Sequence, residues 1–257
     1  MEKQTANMEV HHHPNVERKG FKEYILEGLM IFLAVTLGFF AESIREKIAD
    51  KEKERDYIAA MIEDARTDTA NIQNAIRLNN KRSYYLDSLG TICNNYDIAR
   101  YADSTIYILY RAGLVHPSFV SPTERTLLQL KNSGGMRLIR IKEAVDSIIM
   151  YDDAAKKLID QQAYYEMYQN KSVDLAIQIF DFQYFNFRNK KGLLANGKSY
   201  SGVTMLSRDK IKLMAFGNLI DLYNGVVNFY TVRLQEMNDH AVNLINTLKK
   251  DYQIENE

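Results

Sequence analysis

The feature that most constrains this chain is an apolar stretch near its N-terminus that carries no charged residue. Residues 28–41 read GLMIFLAVTLGFFA, and extending the stretch back to Tyr24 adds two apolar residues and one acid, Glu27. At about 1.5 Å rise per residue, these eighteen residues would form a helix roughly 27 Å long, close to the thickness of a hydrocarbon core. Apolar side chains cover every face of such a helix, whereas a surface helix needs a polar face. The stretch therefore predicts a transmembrane anchor within residues 21–43.

Two other kinds of apolar segment have to be compared with an anchor. A cleaved signal peptide would end in a small-residue cleavage site, but Glu42, Arg45 and Glu46 follow directly and favour a continuing helix. We therefore expect the segment to be retained. The core helix of a soluble domain is the less favoured alternative.

One face of the predicted anchor combines an acid with small residues. Its positions recur at helical spacing: Glu27, Ile31, Ala34, Gly38 and Ala41. Small residues let membrane helices approach closely, so this stripe is a candidate helix-packing face. An acid inside the apolar span is unfavourable unless it reaches the interface, is protonated or has a partner. Both a packing role and an interfacial position remain open for Glu27.

The composition of the remaining chain favours long helices. Only 3 prolines and 12 glycines occur in 257 residues, which leaves few breaks for an all-β fold. Lys plus Arg and Asp plus Glu are both 33, so no net charge attracts nucleic acid. The single Cys93 excludes an internal disulfide and a cysteine-based zinc site. We expect an all-α chain, one transmembrane helix followed by a long-helix bundle, and no nucleic-acid partner.

Four segments are predicted along the chain. Residues 1–20 lack apolar periodicity and form a disordered tail, residues 21–43 the anchor, residues 44–56 a charged helical stalk, and residues 57–257 a helical bundle domain. The tail contains His11, His12 and His13. Adjacent imidazoles without a scaffold bind metals only loosely, so we predict no metal and no cofactor.

The first half of the bundle sequence predicts one long helix, or two with a joint, that ends near Asn94–Tyr96, and a short helix over Ser104–Ala112. The stretch HPSFVSP, residues 116–122, is a loop. Ser121, Pro122 and Glu124 predict a capping box at the start of the next helix. Gly134 and Gly135 predict its end, because glycine adopts the left-handed conformation of a helix terminator.

The second half predicts a long amphipathic helix from Ile141 to Tyr168 that restarts near Ser172 and runs through Phe182. Residues 184–204 predict an irregular or hairpin-like segment, with a tight turn at Asn196 and Gly197. Ser207 is predicted to cap the last helix, which continues towards Tyr252.

Aromatic residues are dense in this half, and the chain as a whole has 17 tyrosines and 11 phenylalanines. A subset is a candidate ligand pocket or partner interface: Tyr164, Tyr165, Tyr168, Phe182 and Phe185. Aromatic residues at helical spacing are also typical of an amphipathic core, and this interpretation is the favoured one.

No sequence pattern of a common enzyme class occurs. There is no glycine-rich nucleotide loop, no HExxH, no GxSxG and no paired CxxC. Glu236 and His240 share one helical face, but the repeated Glu-x-x-His of bundle metal sites is missing. The sequence therefore predicts no catalytic residue and a protein that is not an enzyme.

Three stretches resemble an uncharacterised bacterial family of N-terminally anchored single-pass membrane proteins: FKEYILEGLMIFLAVTLGFFAESIREK (21–47), YIAAMIEDARTDTANI (57–72) and LLQLKNSGGMRLI (127–139). The resemblance implies an inner-membrane protein of a Gram-negative envelope with its C-terminal domain in the periplasm, although counting Lys and Arg alone would favour the opposite orientation. We expect a non-enzymatic membrane protein that binds a partner protein or forms a homo-oligomer. The alternative is a ligand-sensing helical module that signals through a second subunit.

Overall fold

The computed structural model describes residues 20–115, 117–185 and 202–254, and all regular structure in these ranges is helical. The α-helices are α1 (Phe21–Asn94), α2 (Asp103–Leu114), α3 (Arg125–Asn132), α4 (Lys142–Ala176) and α5 (Lys210–Tyr252). Short 3-10 helices occupy Asp97–Arg100, Gly135–Arg137 and Phe182–Phe185. The prediction of an all-α chain with a long N-terminal helix followed by further helices is confirmed.

Helix α1 is a single helix of 74 residues and not two helices with a joint. Residues 39–89 contain neither glycine nor proline, so nothing in this stretch interrupts the backbone hydrogen bonds. The helix ends at Asn94, and Tyr96 then takes a left-handed conformation with φ 53°. The predicted end near Asn94–Tyr96 is confirmed.

The chain divides into two compact units, Met1–Glu52 and Lys53–Glu257, and the division falls inside the predicted stalk. The described part of the first unit consists of the beginning of α1 after Gly20. Its apolar side chains are exposed.

The second unit is built on three long helices, the part of α1 from Lys53 onward, α4 and α5. Helices α1 and α4 run parallel. Glu54, early in this part of α1, bonds to Arg140 just before α4, and Arg82, later in α1, bonds to Tyr165 later in α4. Helix α5 runs antiparallel to both, since its C-terminal end meets Glu54 and its N-terminal part meets Asn94.

The core lies where the buried faces of these helices meet. Buried positions recur at spacings of three and four, the period of a helix that covers a core with one face. Representative fully buried residues are Ile58, Met61, Ala65, Ile72, Leu86, Ile148, Leu158, Leu213, Ile220, Val227 and Leu234. Helices α2 and α3 add Ile106, Tyr110, Leu127 and Leu130 to the same core.

Two glycines let α1 and α5 approach closely at the N-terminal end of α5. A Cβ atom at Gly217 would lie 2.9 Å from the Cβ of Cys93, and one at Gly90 would lie 3.2 Å from the carboxyl carbon of Asp221. The amide of Asn94 donates to Asp221 at 2.5 Å across this contact. Side chains at either glycine would force the helices apart.

Helix α3 does not begin with the predicted capping box. It starts at Arg125 with Glu124 as the N-cap residue, so Ser121 and Pro122 belong to the preceding loop. The cap comes from α1, because the carboxylate of Asp64 accepts the Thr126 N–H in the first turn of α3. Gly134, with φ 70°, follows the end of α3, as predicted.

Two further helix boundaries differ from the prediction. Helix α4 runs without a break through Ser172 and ends at Ala176, and Phe182 lies in a separate 3-10 helix. Helix α5 is capped by Asp209 and not by Ser207: the Asp209 carboxylate accepts the Lys212 N–H at 2.9 Å, whereas the Ser207 hydroxyl accepts the Asp209 N–H. The predicted helix from the region of Ser207 to Tyr252 is otherwise present.

Several predicted features lie outside the described residues. These are residues 1–19 of the predicted tail, which include His11–His13, the turn at Asn196–Gly197, and His116 at the start of the predicted loop. The loop from Pro117 to Pro122 is present and contains no helix.

Candidate functional site

The beginning of α1 presents an apolar surface that none of the described residues covers. It is the one helix among the described ranges whose length and composition would allow it to cross a membrane, and no residue of its apolar window is buried. The hydroxyl of Thr36 donates to the carbonyl oxygen of Phe32 at 2.7 Å. Its polar group is therefore satisfied within the helix, as a hydrocarbon environment requires.

The predicted packing stripe lies along this surface. Glu27, Ile31, Ala34, Gly38 and Ala41 are all exposed. A Cβ atom at Gly38 would meet no other atom within 4 Å. The stripe is therefore accessible to a neighbouring helix along its whole length.

The five aromatic residues of the predicted pocket or interface lie in different environments. Tyr165 is fully buried between α1, α4 and α5, while its neighbour Tyr164 is 58% exposed. Phe182 and Phe185 pack against Tyr110 of α2 at ring-centre distances of 5.9 and 5.1 Å. Tyr168 is partly buried, with the ammonium of Lys171 5.2 Å from its ring centre.

The separation of Tyr164 from Tyr165 follows from helix geometry, because successive side chains point about 100° apart around the axis. The structure thus does not bring the five aromatic residues together at one site. Tyr165 belongs to a different cluster, which centres on the loop before α3.

That loop inserts Phe119 between the long helices. The Phe119 ring meets Tyr165 of α4 edge to face at 4.8 Å and Tyr230 of α5 at 5.8 Å. The backbone N–H of Val120 donates to the Tyr230 hydroxyl at 3.1 Å. A segment without secondary structure is therefore fixed within the bundle by contacts with two of its long helices.

Two fully buried acids of α1 bind the other end of this loop. Asp68 accepts the Thr123 N–H at 2.9 Å and the Thr123 hydroxyl at 2.6 Å, and it also accepts the hydroxyl of Tyr151 from α4. Asp64 accepts the Thr126 N–H at 3.1 Å and pairs with the Arg125 guanidinium at 2.6 Å. Asp64 thus satisfies an N–H group in the first turn of α3 and acts as its cap, while Asp68, about one helical turn away on α1, holds Thr123 just before the N-cap residue Glu124.

Asn79 and Arg82 continue this polar row along α1. The Asn79 amide donates to the Ser118 carbonyl oxygen at 3.0 Å, and its oxygen accepts the Tyr165 hydroxyl at 3.2 Å. Arg82 donates to the same hydroxyl at 2.6 Å. The loop is thereby joined to both α1 and α4.

Near the start of the second unit, Glu54 of α1 joins the segment before α4 and the end of α5. Its carboxylate accepts the Arg140 N–H at 3.0 Å before α4 and the Tyr252 hydroxyl at 2.6 Å at the end of α5. Glu54 lies in the charged helical stalk predicted over residues 44–56, and its side chain is buried. A buried carboxylate is tolerated here because both neighbours are hydrogen-bond donors.

Burial keeps the tyrosines of this region neutral. It raises the pKa of Tyr151, which donates to Asp68 and is further disfavoured from ionising by that carboxylate. Burial also raises the pKa of Tyr230, to about 12. For Tyr165, the effect of burial exceeds the opposing effect of Arg82, so its pKa is raised as well. The hydroxyl groups therefore remain protonated and available as donors at neutral pH.

The polar row on α1 holds the loop before α3 in place through hydrogen bonds. Within the described ranges, no group of three or more His, Cys, Asp or Glu side chains could hold a metal ion. Glu236, which shares a face with His240, pairs with Arg233 at 2.5 Å. Burial raises the pKa of Cys93 to about 12, so this thiol is a weak nucleophile at neutral pH.

Sequence reasoning missed the polar row on α1, although the sequence carries a signal for it. The apolar positions of α1 recur at spacings of three and four up to Ala65. Continuing the same spacing places residues 68, 79 and 82 on the buried face as well. These positions hold Asp68, Asn79 and Arg82. Polar residues at core spacing indicated buried hydrogen bonds, but not which loop supplies their partners.

Comparisons of the chain with family models, with curated proteins and with solved structures found no match.

Proposed function

We propose that this chain is a membrane-anchored, non-enzymatic helical protein of the bacterial cell envelope, which binds a partner protein or assembles with itself. The observation that carries the proposal is the apolar beginning of α1, where no side chain is buried and the large apolar ones are exposed. Exposing so much apolar surface to water is unfavourable by roughly 25 cal/mol per Å². A lipid environment removes this cost.

Residues 21–47, 57–72 and 127–139 resemble the bacterial family of anchored single-pass membrane proteins. From this resemblance we infer an inner-membrane location and a C-terminal domain in the periplasm. The described geometry is compatible with a single membrane crossing, since α1 is the one described helix that is long and apolar enough.

A role in binding is supported by the way the buried polar groups are used. Asp64, Asp68, Asn79 and Glu54 all hold backbone groups of the same chain. A catalytic group has to be able to reach a substrate, whereas these side chains are enclosed and engaged. What remains accessible for function is surface, including the stripe from Glu27 to Ala41.

The anchor is tested with a charge in the middle of the apolar stretch. An arginine at the centre of a membrane helix costs about 2.5–3.5 kcal/mol on insertion scales. We expect Val35→Arg to shift much of the full-length protein from the membrane pellet to the soluble or aggregated fraction after alkaline extraction. Ile48→Arg is the matched control, because Ile48 is also an exposed β-branched residue of α1 but lies outside residues 21–43. Recovery of unmodified protein in the supernatant without detergent would contradict the anchor.

Partner binding is tested by crosslinking full-length protein in native membranes, followed by mass determination of the products. Adducts with a second protein or with another copy are expected. A monodisperse monomer that forms no adduct would contradict the proposed role.

The alternative is a ligand-sensing helical module that signals through a second subunit. Stabilisation of the protein by one class of small molecule in a thermal-shift screen would support sensing.

A further inference from the structure

The charged residues of α1 leave only a short uninterrupted apolar segment at its beginning. Residues 28–41 contain no charged residue, and Glu27 and Glu42 bound them. The whole segment is helical, and none of its side chains is buried. At about 1.5 Å rise per residue it is roughly 21 Å long, whereas the hydrocarbon core of a typical bilayer is about 30 Å thick. The segment is therefore shorter than the core of an average membrane.

An ion pair marks the C-terminal boundary of this segment. The Arg45 guanidinium donates to both carboxylate oxygens of Glu42, at 2.9 and 2.5 Å. Both side chains are exposed. Charged groups are costly inside the hydrocarbon core, so this pair belongs in the headgroup layer. The surface that lipid chains can cover thus ends before Glu42.

Glu27 marks the N-terminal boundary. Every Cα–Cβ bond of an α-helix tilts towards the helix N-terminus, so the Glu27 carboxyl points away from the centre of the segment and towards the membrane surface. A long lysine side chain could reach the surface from a deeper position, but glutamate has a shorter stem. The edge of the hydrocarbon core therefore lies close to Glu27.

The start of α1 prevents a compensating shift of the helix into the membrane. The helix begins at Phe21, and the Gly20 N–H donates to the Glu23 carboxylate at 2.9 Å. The first N–H groups of a helix lack partners within it, and unpaired backbone groups do not lie in hydrocarbon. Tilting cannot compensate either, because it shortens the distance that a helix spans across the bilayer.

We propose that the anchor of this chain binds selectively to membranes with a thin hydrocarbon core, about 21–27 Å thick, and that Glu27 determines this selectivity. The selectivity rests on the membrane anchoring of the proposed function. A thin core covers residues 28–41 and leaves Glu27 and the Glu42–Arg45 pair among the headgroups. A thicker core has to thin around the helix or take up these charged groups, and both are unfavourable.

The selectivity is tested by reconstituting the full-length protein from detergent into vesicles of three phosphatidylcholines whose monounsaturated chains increase in length: dimyristoleoyl, dioleoyl and dierucoyl. Flotation in a density gradient at alkaline pH measures the inserted fraction. We expect at least about threefold more inserted protein in the dimyristoleoyl than in the dierucoyl vesicles, because bilayer distortion grows with each ångström of mismatch. Equal insertion in all three lipids would overturn the selectivity.

Glu27→Leu tests the role of Glu27. The substitution extends the apolar segment back to Tyr24, which lengthens it by about 6 Å. We expect the ratio of insertion in dierucoyl to insertion in dimyristoleoyl vesicles to rise at least about threefold over that of the unmodified chain.

Two controls separate length from hydrophobicity. Glu46→Leu makes the same substitution at another exposed glutamate of α1, but Glu42 and Arg45 lie between it and the apolar segment, so the preference for thin bilayers should stay unchanged. Thr36→Leu makes the middle of the segment more apolar without lengthening it. It should raise insertion in all three lipids by a similar factor. A Glu27→Leu profile equal to that of Thr36→Leu would overturn the role of Glu27.

The outcomes distinguish the selectivity from the anchor itself. Insertion that does not depend on lipid chain length overturns the selectivity and leaves the membrane anchor standing. Failure of the unmodified protein to insert into any of the vesicles overturns both. The series with the unmodified chain decides between these results even if Glu27→Leu aggregates.

Discussion

At the scale of single residues, buried acids of α1 join distant segments of the chain through hydrogen bonds. Asp68 is 0% exposed and accepts hydrogen bonds from three donor groups in two segments: the N–H and hydroxyl of Thr123 and the hydroxyl of Tyr151. A buried carboxylate without donors would cost several kcal/mol, so these bonds are required for Asp68 to be tolerated in the core. The acid therefore determines where the loop before α3 can lie.

Asp68→Asn is expected to destabilise the protein by about 2–4 kcal/mol, because the amide places a donor group opposite the donors of Thr123 and Tyr151. Urea unfolding of the detergent-solubilised full-length protein, followed by circular dichroism, measures the change. The control is Asp153→Asn, whose carboxylate is exposed and pairs with Lys157 one turn away, and which should cost less than about 0.5 kcal/mol. Equal losses for the two variants would show that Asp68 is not a buried anchor.

The residue scale was also the hardest to predict. The sequence indicates that Asp68 and Asn79 occupy core spacing, but their partners Thr123 and Ser118 lie 55 and 39 residues away. Local patterns carry no information about which distant backbone group forms a hydrogen bond with a buried polar side chain. The same is true of Tyr165, which packs against the distant Phe119.

At the scale of elements, the close contact between α1 and α5 depends on glycine at positions 90 and 217. Gly217 lies inside α5, past its first turn, where glycine is intrinsically unfavourable. Its benefit is the space it leaves for Asn94, which reaches Asp221 across the contact. Helix packing and helix propensity therefore oppose each other at this position, and packing prevails.

Gly217→Ala is expected to destabilise the bundle by about 1–3 kcal/mol, since the added methyl group overlaps Asn94 and Cys93 and overpacking has costs of that order. Gly225→Ala is the matched substitution on the same helix. No atom lies within 4 Å of its Cβ position, so there alanine should stabilise the helix by about 0.5–1 kcal/mol. Thermal unfolding of both variants measures the difference in sign. A stabilising effect at Gly217 would mean that α1 and α5 are farther apart than described.

Helices and their ends could be predicted to different extents. Long periodic stretches and the stops at Asn94 and Gly134 follow from local chemistry, and the structure confirms them. The predicted start of α3 was wrong, because Asp64 of α1 caps the helix in place of Ser121. A cap supplied by another helix leaves no mark in the neighbouring sequence.

At the scale of the whole molecule, Glu54 closes the bundle. Its carboxylate connects the part of α1 just after Lys53 with Arg140 before α4 and with Tyr252 at the end of α5. Three segments that are far apart in the chain meet at this one group. Losing the hydrogen bond of one segment should therefore increase local opening of the other two.

Tyr252→Phe is expected to lower stability by about 1–2 kcal/mol, because Glu54 loses a donor while the ring keeps its packing. Hydrogen exchange measured by mass spectrometry should become faster around residues 54, 140 and 252 together. Tyr164→Phe, at an exposed position of α4, is the control and should change none of them. Faster exchange confined to the C-terminus would show that Glu54 does not couple the three segments.

The hydrogen bond between Glu54 and Tyr252 can form only late in synthesis of the chain. Its two ends are 198 residues apart in the chain, and at about 5–20 residues per second a ribosome needs on the order of 10–40 s to make the second after the first. Throughout that interval, the face of α1 that α5 will cover has no permanent occupant. The residues of α1 that α5 buries in the finished protein therefore stay uncovered by α5 until the last helix has been made.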